Sequence, residues 1–418
     1  MALTISRRAA LRGSLMGLAT IATAGRAQLA MADADTDKRF VVVLLRGALD
    51  GMASVVPYGD PHLAALRAPL IPGQPGSADG VLDLGGFYGF HPALTGLHDM
   101  YKQGEVLPVH AIAGPYRSRS HFEAQDMLQT GADDDQNMAG ITSGWLNRVL
   151  VELPGAPGAA GRGLAVGIGM PLLLRGPAIV GSYAPTGFAQ PSAELYARIV
   201  ALNATDRLTG RAIREGLREA RFDQSTLNDG SDGVMDEMGH VAGTYHDPKA
   251  ANGFPALAMA AGKLLAAPAG PRIAAFQLEG WDTHANQMGL LKPPLTMLDN
   301  GLVALKTALG PDWKNTTVLV MTEFGRTARM NGTRGTDHGT ATAAFLLGGS
   351  VAGGKVAGTW PGLADSQLFQ NRDLAPTADI RSLAKGALAA QFGFSNDALL
   401  RIFPDSLNAA PMNGLLRA

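Results

Sequence analysis

The chain has 418 residues, no cysteine and a formal net charge of -1, because 35 basic residues nearly balance 36 acidic ones. The absence of cysteine excludes disulfides, thiolate metal sites, iron-sulfur clusters and cysteine nucleophiles. A near-neutral chain without a basic stripe also argues against nucleic acid as a partner. Any metal ion must therefore be held by Asp, Glu, His, hydroxyl or carbonyl groups.

The first residues have the form of an export signal. Arg7 and Arg8 precede the apolar run 15–24, and small residues ending at Ala32 follow at the spacing that a signal peptidase accepts. The pattern predicts a twin-arginine signal over residues 1–32, with the twin-arginine translocase as a partner during export; the alternative is an ordinary amphipathic first helix. We expect cleavage near Ala32, a periplasmic or secreted protein, and no stable membrane span, because the apolar run is too short to cross a bilayer of about 30 Å.

Apolar runs alternate with helical segments along the rest of the chain. The predicted strands are 40–45, 106–112, 164–168, 273–278, 317–321 and 341–347. The predicted helices are 94–103, 121–130, 192–220, 254–267, 294–309 and 379–392. This alternation predicts an α/β fold with a mostly parallel central sheet and helices on both faces. Residues 33–418 show no clear domain boundary, and we expect a cap or insertion around 164–253.

Acidic and histidine side chains follow two of these strands. Asp282 and His284 come just after the strand 273–278, while Glu323 follows the next predicted strand and the pair Asp337-His338 comes soon after it. The carboxyl ends of strands are where open α/β sheets bind ligands, so these groups are expected to converge. Carboxylate oxygens and imidazole nitrogens would suit a divalent ion, whereas isolated turn and capping residues are the alternative.

A loop rich in arginine and hydroxyl groups precedes the helix predicted at 121–130. Ser120 would lie at the helix N-terminus, where backbone N–H groups favour an anion or an alkoxide nucleophile. It could equally be an N-cap, with Glu123 completing a capping box. Arg117 and Arg119 could clamp a sulfate or phosphate, and His121 could be a base, a ligand or a plain helix residue.

The turn after the first strand carries two further polar side chains. Arg46 would point at the same crevice, and Asp50 could be a ligand or a turn residue. The glycines between them permit tight turns, but the pattern is not the phosphate-binding GxGxxG.

Together these motifs resemble the family labelled as a domain of unknown function, number 1501. The shared features are the twin-arginine leader, a Leu-Arg-Gly…Asp-Gly turn, a Ser-His-Phe…Gln helix start, Gly-Trp-Asp-Thr-His, and Glu-Phe-Gly-Arg-Thr followed by Asp-His-Gly. The resemblance covers almost the whole mature chain. The family is similar in turn to the alkaline phosphatase and sulfatase superfamily of metal-dependent hydrolases, which implies an alkaline phosphatase/sulfatase-like domain over residues 33–418.

The resemblance also implies roles for individual residues. Ser120 stands at the place of the nucleophile, with Ser118 as second choice, and Asp282 and His284 stand at the place of an Asp…His metal pair. The chain departs from the superfamily pattern where Glu323 and Phe324 replace an expected Asp-His, and where Arg46 replaces the first acid. A single ion or a degenerate site is therefore expected instead of a two-metal site.

The sequence thus predicts an exported, metal-assisted hydrolase of a sulfate or phosphate ester, acting on a small molecule or an oligosaccharide. The alternative is a secreted binding or assembly protein that kept the scaffold and lost the chemistry. The ion, which could be Zn, Ca, Mg or Mn, is assigned to Asp282, His284, Glu323, Asp337 and His338. Catalysis is assigned to Ser120, His121 and Arg46, and substrate binding to Arg117, Arg119 and Arg326.

Overall fold

The computed structural model describes residues 36–133, 141–154, 162–167, 169–183 and 253–417. The predicted leader, the predicted helix 192–220 and most of the expected cap lie outside the described residues. Within the described residues, no helix combines the length and the apolar character needed to cross a membrane.

A central sheet of eight strands forms the middle of the described fold. Its strands are β1 (Arg39–Leu45), β5 (Val106–Ala113), β6 (Gly163–Val166), β7 (Val180–Tyr183), β8 (Ile273–Leu278), β9 (Thr316–Thr322), β10 (Thr342–Leu347) and β11 (Ala378–Asp379). Their spatial order is β11-β5-β10-β9-β1-β8-β6-β7. All neighbours pair in parallel except β10, which runs antiparallel to both β5 and β9. A small second sheet has the order β2-β4-β3, formed by β2 (Val55–Val56), β3 (Leu82–Asp83) and β4 (Gly89–Phe90).

Helices cover both faces of the central sheet. They are α1 (Gly51–Ser54), α2 (Leu63–Arg67), α3 (Thr95–Lys102), α4 (His121–Thr130), α5 (Trp145–Glu152), α6 (Phe254–Ala266), α7 (Gln287–Leu309), α8 (Ile380–Phe392) and α9 (Asn396–Ile402). Short 3-10 turns lie at Ala68–Leu70, Leu172–Leu174, Gly310–Asn315 and Asp365–Gln367.

Strand β1 shows how the two layers form. Val41, Val43 and Leu45 pack with α3, α6 and α7 on one face, while Phe40 and Leu44 pack with α5, α8 and α9 on the other. Successive side chains of a strand point to opposite faces, so a strand that is apolar at every position is buried on both. The prediction of a mostly parallel sheet with helices on both faces is confirmed.

The predicted elements that fall within the described residues are present, with ends shifted by a few residues. The largest shift is in α7, which begins at Gln287 and carries Pro293 and Pro294 inside it, whereas the sequence indicated a start at 294. Helices α1, α2, α5 and α9, strands β7 and β11, the small sheet and the antiparallel direction of β10 were not predicted. The β10 direction matters for the site, because the amino end of an antiparallel strand lies beside the carboxyl ends of its neighbours.

Candidate metal centre

The acidic and histidine side chains singled out in the sequence meet at one edge of the central sheet. His121 begins α4 after β5, Asp282 and His284 follow β8, and Glu323 follows β9. His338 precedes β10, whose antiparallel direction brings its amino end to this same edge. Five adjacent strands, β5-β10-β9-β1-β8, therefore deliver their loops to one place.

Three imidazole nitrogens and one carboxylate converge there. His338 Nε2 lies 2.9 Å from His121 Nε2 and 3.0 Å from His284 Nε2. Asp282 Oδ1 lies 3.0 Å from His284 Nε2 and 3.4 Å from His338 Nε2, and its Oδ2 lies 3.6 Å from His121 Nε2. The ligand atoms of His121, Asp282 and His338 all lie within 4.8 Å of one another.

The tautomer of each imidazole follows from its other ring nitrogen, which faces an oxygen that can only accept. The Nδ1 contacts are 2.7 Å from His121 to Glu323 Oε1, 3.1 Å from His284 to Asp337 Oδ1, and 3.1 Å from His338 to the backbone oxygen of Arg119. Each Nδ1 therefore carries the hydrogen and donates it. Consequently the Nε2 atoms of His121 and His284 both turn a lone pair toward Nε2 of His338, and the Asp282 carboxylate lies beside all three. This arrangement repels itself unless a cation lies among these atoms.

The donor set fits a transition-metal ion. Bonds of about 2.0–2.1 Å in a tetrahedral site place neighbouring donors about 3.3 Å apart. The five separations of 2.9–3.6 Å that join His338 and Asp282 to each other and to the other two histidines bracket that value. The group whose candidate ligand atoms all lie within 4.8 Å of one another is His121, Asp282 and His338. Three imidazoles with one carboxylate suit Zn, or another ion that accepts nitrogen, better than the oxygen-preferring Ca and Mg. An oxygen acceptor on Nδ1 of every ligand histidine is also typical of metal sites, because it fixes the tautomer and the ring orientation.

Glu323, predicted as a ligand, faces His121 Nδ1 rather than the convergence point. It is 4% exposed and also accepts hydrogen bonds from Gly47 N, Gln125 Nε2 and Thr322 Oγ1 at 2.8–3.0 Å. Burial alone would raise the pKa of this carboxyl, but the hydrogen bonds from His121, Gln125 and the backbone outweigh it, and the pKa is lowered. The geometry thus supports a carboxylate that orients His121.

Asp337, also predicted as a ligand, has the corresponding position behind His284. Besides His284 Nδ1 it accepts from Asn331 Nδ2 at 3.1 Å. The pKa of its carboxyl is lowered, chiefly by the Asn331 bond, with a smaller contribution from His284 against the opposing effect of burial. Asn331 in addition donates to the backbone oxygen of His284 at 2.9 Å, so it ties the two loops together.

Arg326, predicted to bind substrate, is buried beneath the centre. Its guanidinium donates to the backbone oxygens of Ala48, Thr336, Gly47 and Trp281 and to Asp282 Oδ1. Burial would raise the pKa of Asp282, but the hydrogen bond and charge of Arg326 lower it. Arg326 is 1% exposed, so it positions Asp282 and does not face a substrate.

A family model described as "Protein of unknown function (DUF1501)" matches residues 112–403. That range includes every side chain of the converging cluster. The chain belongs to this family. No curated protein is significantly similar to it in sequence.

Solved structures similar to this DUF1501 protein include sulfatases and a member of the alkaline phosphatase superfamily. Ps i-CgsB, in complex with k-i-k-neocarrahexaose, is 10% identical, with 90% of this chain and 77% of that chain covered and a TM-score of 0.41. A 2-O GAG sulfatase is 11% identical, with 77% and 66% covered and a TM-score of 0.31. An alkaline phosphatase superfamily protein from Vibrio parahaemolyticus is 9% identical, with 81% and 69% covered and a TM-score of 0.31. Similarity this weak assigns neither a site nor a substrate to this chain.

The remaining predicted arginines of the DUF1501 protein are held by protein groups. Arg119 pairs with Asp373 at 2.8 Å and donates to Gln370, and Arg117 donates to the backbone oxygens of Gly114 and Tyr116. Arg46 donates to Gln125 Oε1 and to Glu279 Oε1, each at 2.8 Å, and its side chain is 33% exposed. The helix start therefore does not present two free guanidinium groups.

Ser120 occupies the N-cap position of α4, but the expected capping box is absent. Its side chain makes no capping hydrogen bond, and Glu123 instead accepts from the Tyr116 hydroxyl. The Ser120 hydroxyl is thus not used to satisfy the backbone N–H groups of the helix.

Asp50 has a structural role instead of a metal role. Its carboxylate caps α1 through Met52 N and Ala53 N, pairs with buried Arg67, and accepts from Gln287 Nε2 at 2.7 Å.

Three residues contribute to the site in ways that the sequence did not predict. Gln125 lies four residues after His121, on the same helical face, and joins Arg46 to Glu323. Phe324 stacks on His121 with ring centroids 4.9 Å apart and lies 5.2 Å from the His338 ring. Asp373 is buried behind Arg119. The role of Gln125 could have been predicted from its position four residues after His121. No local sequence signal distinguishes Asp373 from other acidic residues.

Proposed function

We propose that this DUF1501 protein is a metal-dependent hydrolase of a sulfate or phosphate ester. The proposal is carried by one observation, the convergence of three imidazole lone pairs and the Asp282 carboxylate. In the proposed centre, the ion is held by His121, His284, His338 and Asp282. Glu323 orients His121, and Asp337 orients His284. A bound divalent ion would supply Lewis acidity, polarising the ester and lowering the pKa of a hydroxyl or water.

Ser120 is the proposed nucleophile. It precedes His121 at the start of α4, its hydroxyl is not engaged as a cap, and the helix N-terminus favours developing negative charge. Arg46 is the proposed contact for the anionic part of the substrate, since its side chain is partly exposed and Gln125 holds it next to Glu323. We expect Ser120→Ala to abolish turnover of aryl phosphates or aryl sulfates without loss of metal.

Export is part of the proposal. The paired arginines Arg7 and Arg8 and the following apolar run support passage through the twin-arginine translocase to the periplasm. Replacing both arginines by lysine should retain the protein in the cytoplasm of its host, measured by fractionation.

The direct test of the centre is the metal content of the purified protein. Replacement of His121, His284 or His338 by Ala should each remove the bound ion, because each contributes one of the converging lone pairs. The matched control is His62→Ala, which removes an exposed histidine that makes no capping bond. Elemental analysis of natively exported protein gives the readout; unchanged metal content in all three variants would exclude the centre.

A binding or assembly protein is the second candidate. Phe324, which cannot ligate a metal, packs against two of the histidines, and Arg46 stands where a first acid would be expected from the family resemblance. A protein that holds an ion yet hydrolyses neither aryl sulfates nor aryl phosphates would favour this candidate over the hydrolase.

A further inference from the structure

Asp373 is a fully buried acid that lies outside the converging cluster. Its side chain is 0% exposed and belongs to the segment before β11. The carboxylate accepts from Arg119 Nε and Nη2, Arg372 Nη1 and Thr340 Oγ1, at 2.8–3.1 Å. Burying a carboxylate and its two guanidinium partners costs desolvation energy, which the hydrogen bonds among these groups must offset.

Each of these partners of Asp373 either contacts His338 or lies close to it in the chain. The backbone oxygen of Arg119 accepts from His338 Nδ1 at 3.1 Å and thereby sets its tautomer. Arg372 Nη1 donates to the backbone oxygen of His338 at 2.9 Å as well as to Asp373. Thr340 stands two residues after His338. One carboxylate thus binds the residue that accepts from the His338 ring, the residue that donates to the His338 backbone, and a residue two positions further along the chain.

The backbone of Arg119 explains why such a hold is needed. Its φ is 61°, in the left-handed region that side-chain-bearing residues rarely adopt. In this conformation its carbonyl accepts from His338, and its side chain reaches Asp373 and Gln370. The ion pair with Asp373 therefore offsets the backbone cost of presenting that carbonyl.

We propose that Asp373 is a positioning residue that fixes the orientation and tautomer of His338 through Arg119 and Arg372, an inference that rests on the metal centre of the proposed function. The charge of Asp373 is required, because an amide in its place would turn an N–H toward donors. Loss of a group that orients a ligand histidine typically weakens metal binding by 10–100-fold.

The test measures Zn affinity by chelator competition in the full-length protein and in Asp373→Asn. We expect affinity to fall by about 10–100-fold. The visible spectrum of the Co(II)-substituted protein should change as well, because the geometry of the His338 ligand changes. The matched control is Asp299→Asn, another buried acid, which lies in α7, accepts from Gly96 N and Leu97 N of α3, and should leave both readouts unchanged.

A second variant distinguishes loss of positioning from misfolding of the Asp373→Asn protein. Arg119→Met removes the side chain that Asp373 holds and should weaken Zn binding in the same direction. The double variant with Asp373→Asn should be no weaker than the weaker single variant, because both act through one contact. Wild-type protein that binds no metal would refute the proposed centre itself. If wild-type protein binds Zn, but both single variants match Asp299→Asn in affinity and spectrum, the positioning role is overturned.

Discussion

At the residue scale, neighbouring polar side chains divide into those that point at the proposed metal position and those that point at the histidines around it. His121, His284 and His338 turn one nitrogen inward and donate from the other to Glu323, Asp337 and a backbone oxygen. The sequence identified nearly all of these residues by type and by position after strands. It could not assign which acid is a ligand, because that depends on side-chain direction across segments that are distant in the chain.

Arg326 gives a prediction at this scale. Replacing it by Lys should destabilise the protein by at least about 2 kcal/mol, because a lysine cannot donate to four backbone oxygens and Asp282 at once. Urea unfolding followed by circular dichroism measures the change. The exposed Arg329, which pairs with Asp365, is the control, and its replacement by Lys should stay within about 0.5 kcal/mol. Equal stability of the two variants would contradict the structural role of Arg326.

At the scale of elements, the site depends on loops that approach one another closely. Gly47, with φ of 119°, brings the turn after β1 against Asp282, since a Cβ there would lie 2.7 Å from Asp282 N. The loop before β10 approaches the loop after β8 in the same way, and a Cβ on Gly335 would lie 2.2 Å from the backbone oxygen of His284.

Gly335→Ala should therefore weaken metal binding by about tenfold or more, because the added methyl must push the His338 loop away from the His284 loop. Gly332→Ala lies in the same loop, has open space around it, and should bind metal like the wild type. Isothermal titration with Zn compares the two. Similar affinities would mean that the loops can separate without cost to the centre.

Strand β10 is an element whose burial, but not whose direction, could be predicted from the sequence. Residues 342–347 are buried throughout and apolar after Thr342, which the sequence indicates. A run of this kind does not show whether a buried strand is parallel or antiparallel to its neighbours. Its antiparallel direction follows from the connection after β9 and from pairing with β5 and β9. This direction places Asp337 and His338 at the edge where the other strands end.

At the scale of the whole molecule, buried neutral histidines make stability depend on pH. His110 lies inside β5, donates from Nε2 to the backbone oxygen of Val55 at 2.9 Å, and accepts at Nδ1 from Ala111 N. Burial lowers its pKa from 6.5 to about 4. Burial, with a smaller contribution from Lys292, likewise lowers the pKa of His91 to about 4.

Below pH 6.5 the unfolded chain therefore binds protons that the folded chain does not, so stability falls as pH decreases from about 6.5 to about 4. His110 alone should account for about 3 kcal/mol of that loss. Urea unfolding of metal-free protein across this range, compared with His110→Gln, provides the measurement. The variant should show a shallower slope, with His91 remaining; an unchanged slope would mean that His110 titrates normally in the fold.

The sequence by itself determined the layered α/β architecture. A strand buried on both faces is apolar at every position and an amphipathic helix is apolar on one face, so each pattern shows which faces of the element are buried. It also determined which residue types would gather at the sheet edge, since those residues follow strands. Tertiary structure alone decided that His121 turns a lone pair inward, that Glu323 and Asp337 stand behind the histidines, and that Arg326 is buried. Those roles depend on contacts between residues far apart in the chain, from 53 positions for His284 with Asp337 to 279 for Gly47 with Arg326, and no local pattern encodes the direction of a side chain across such separations.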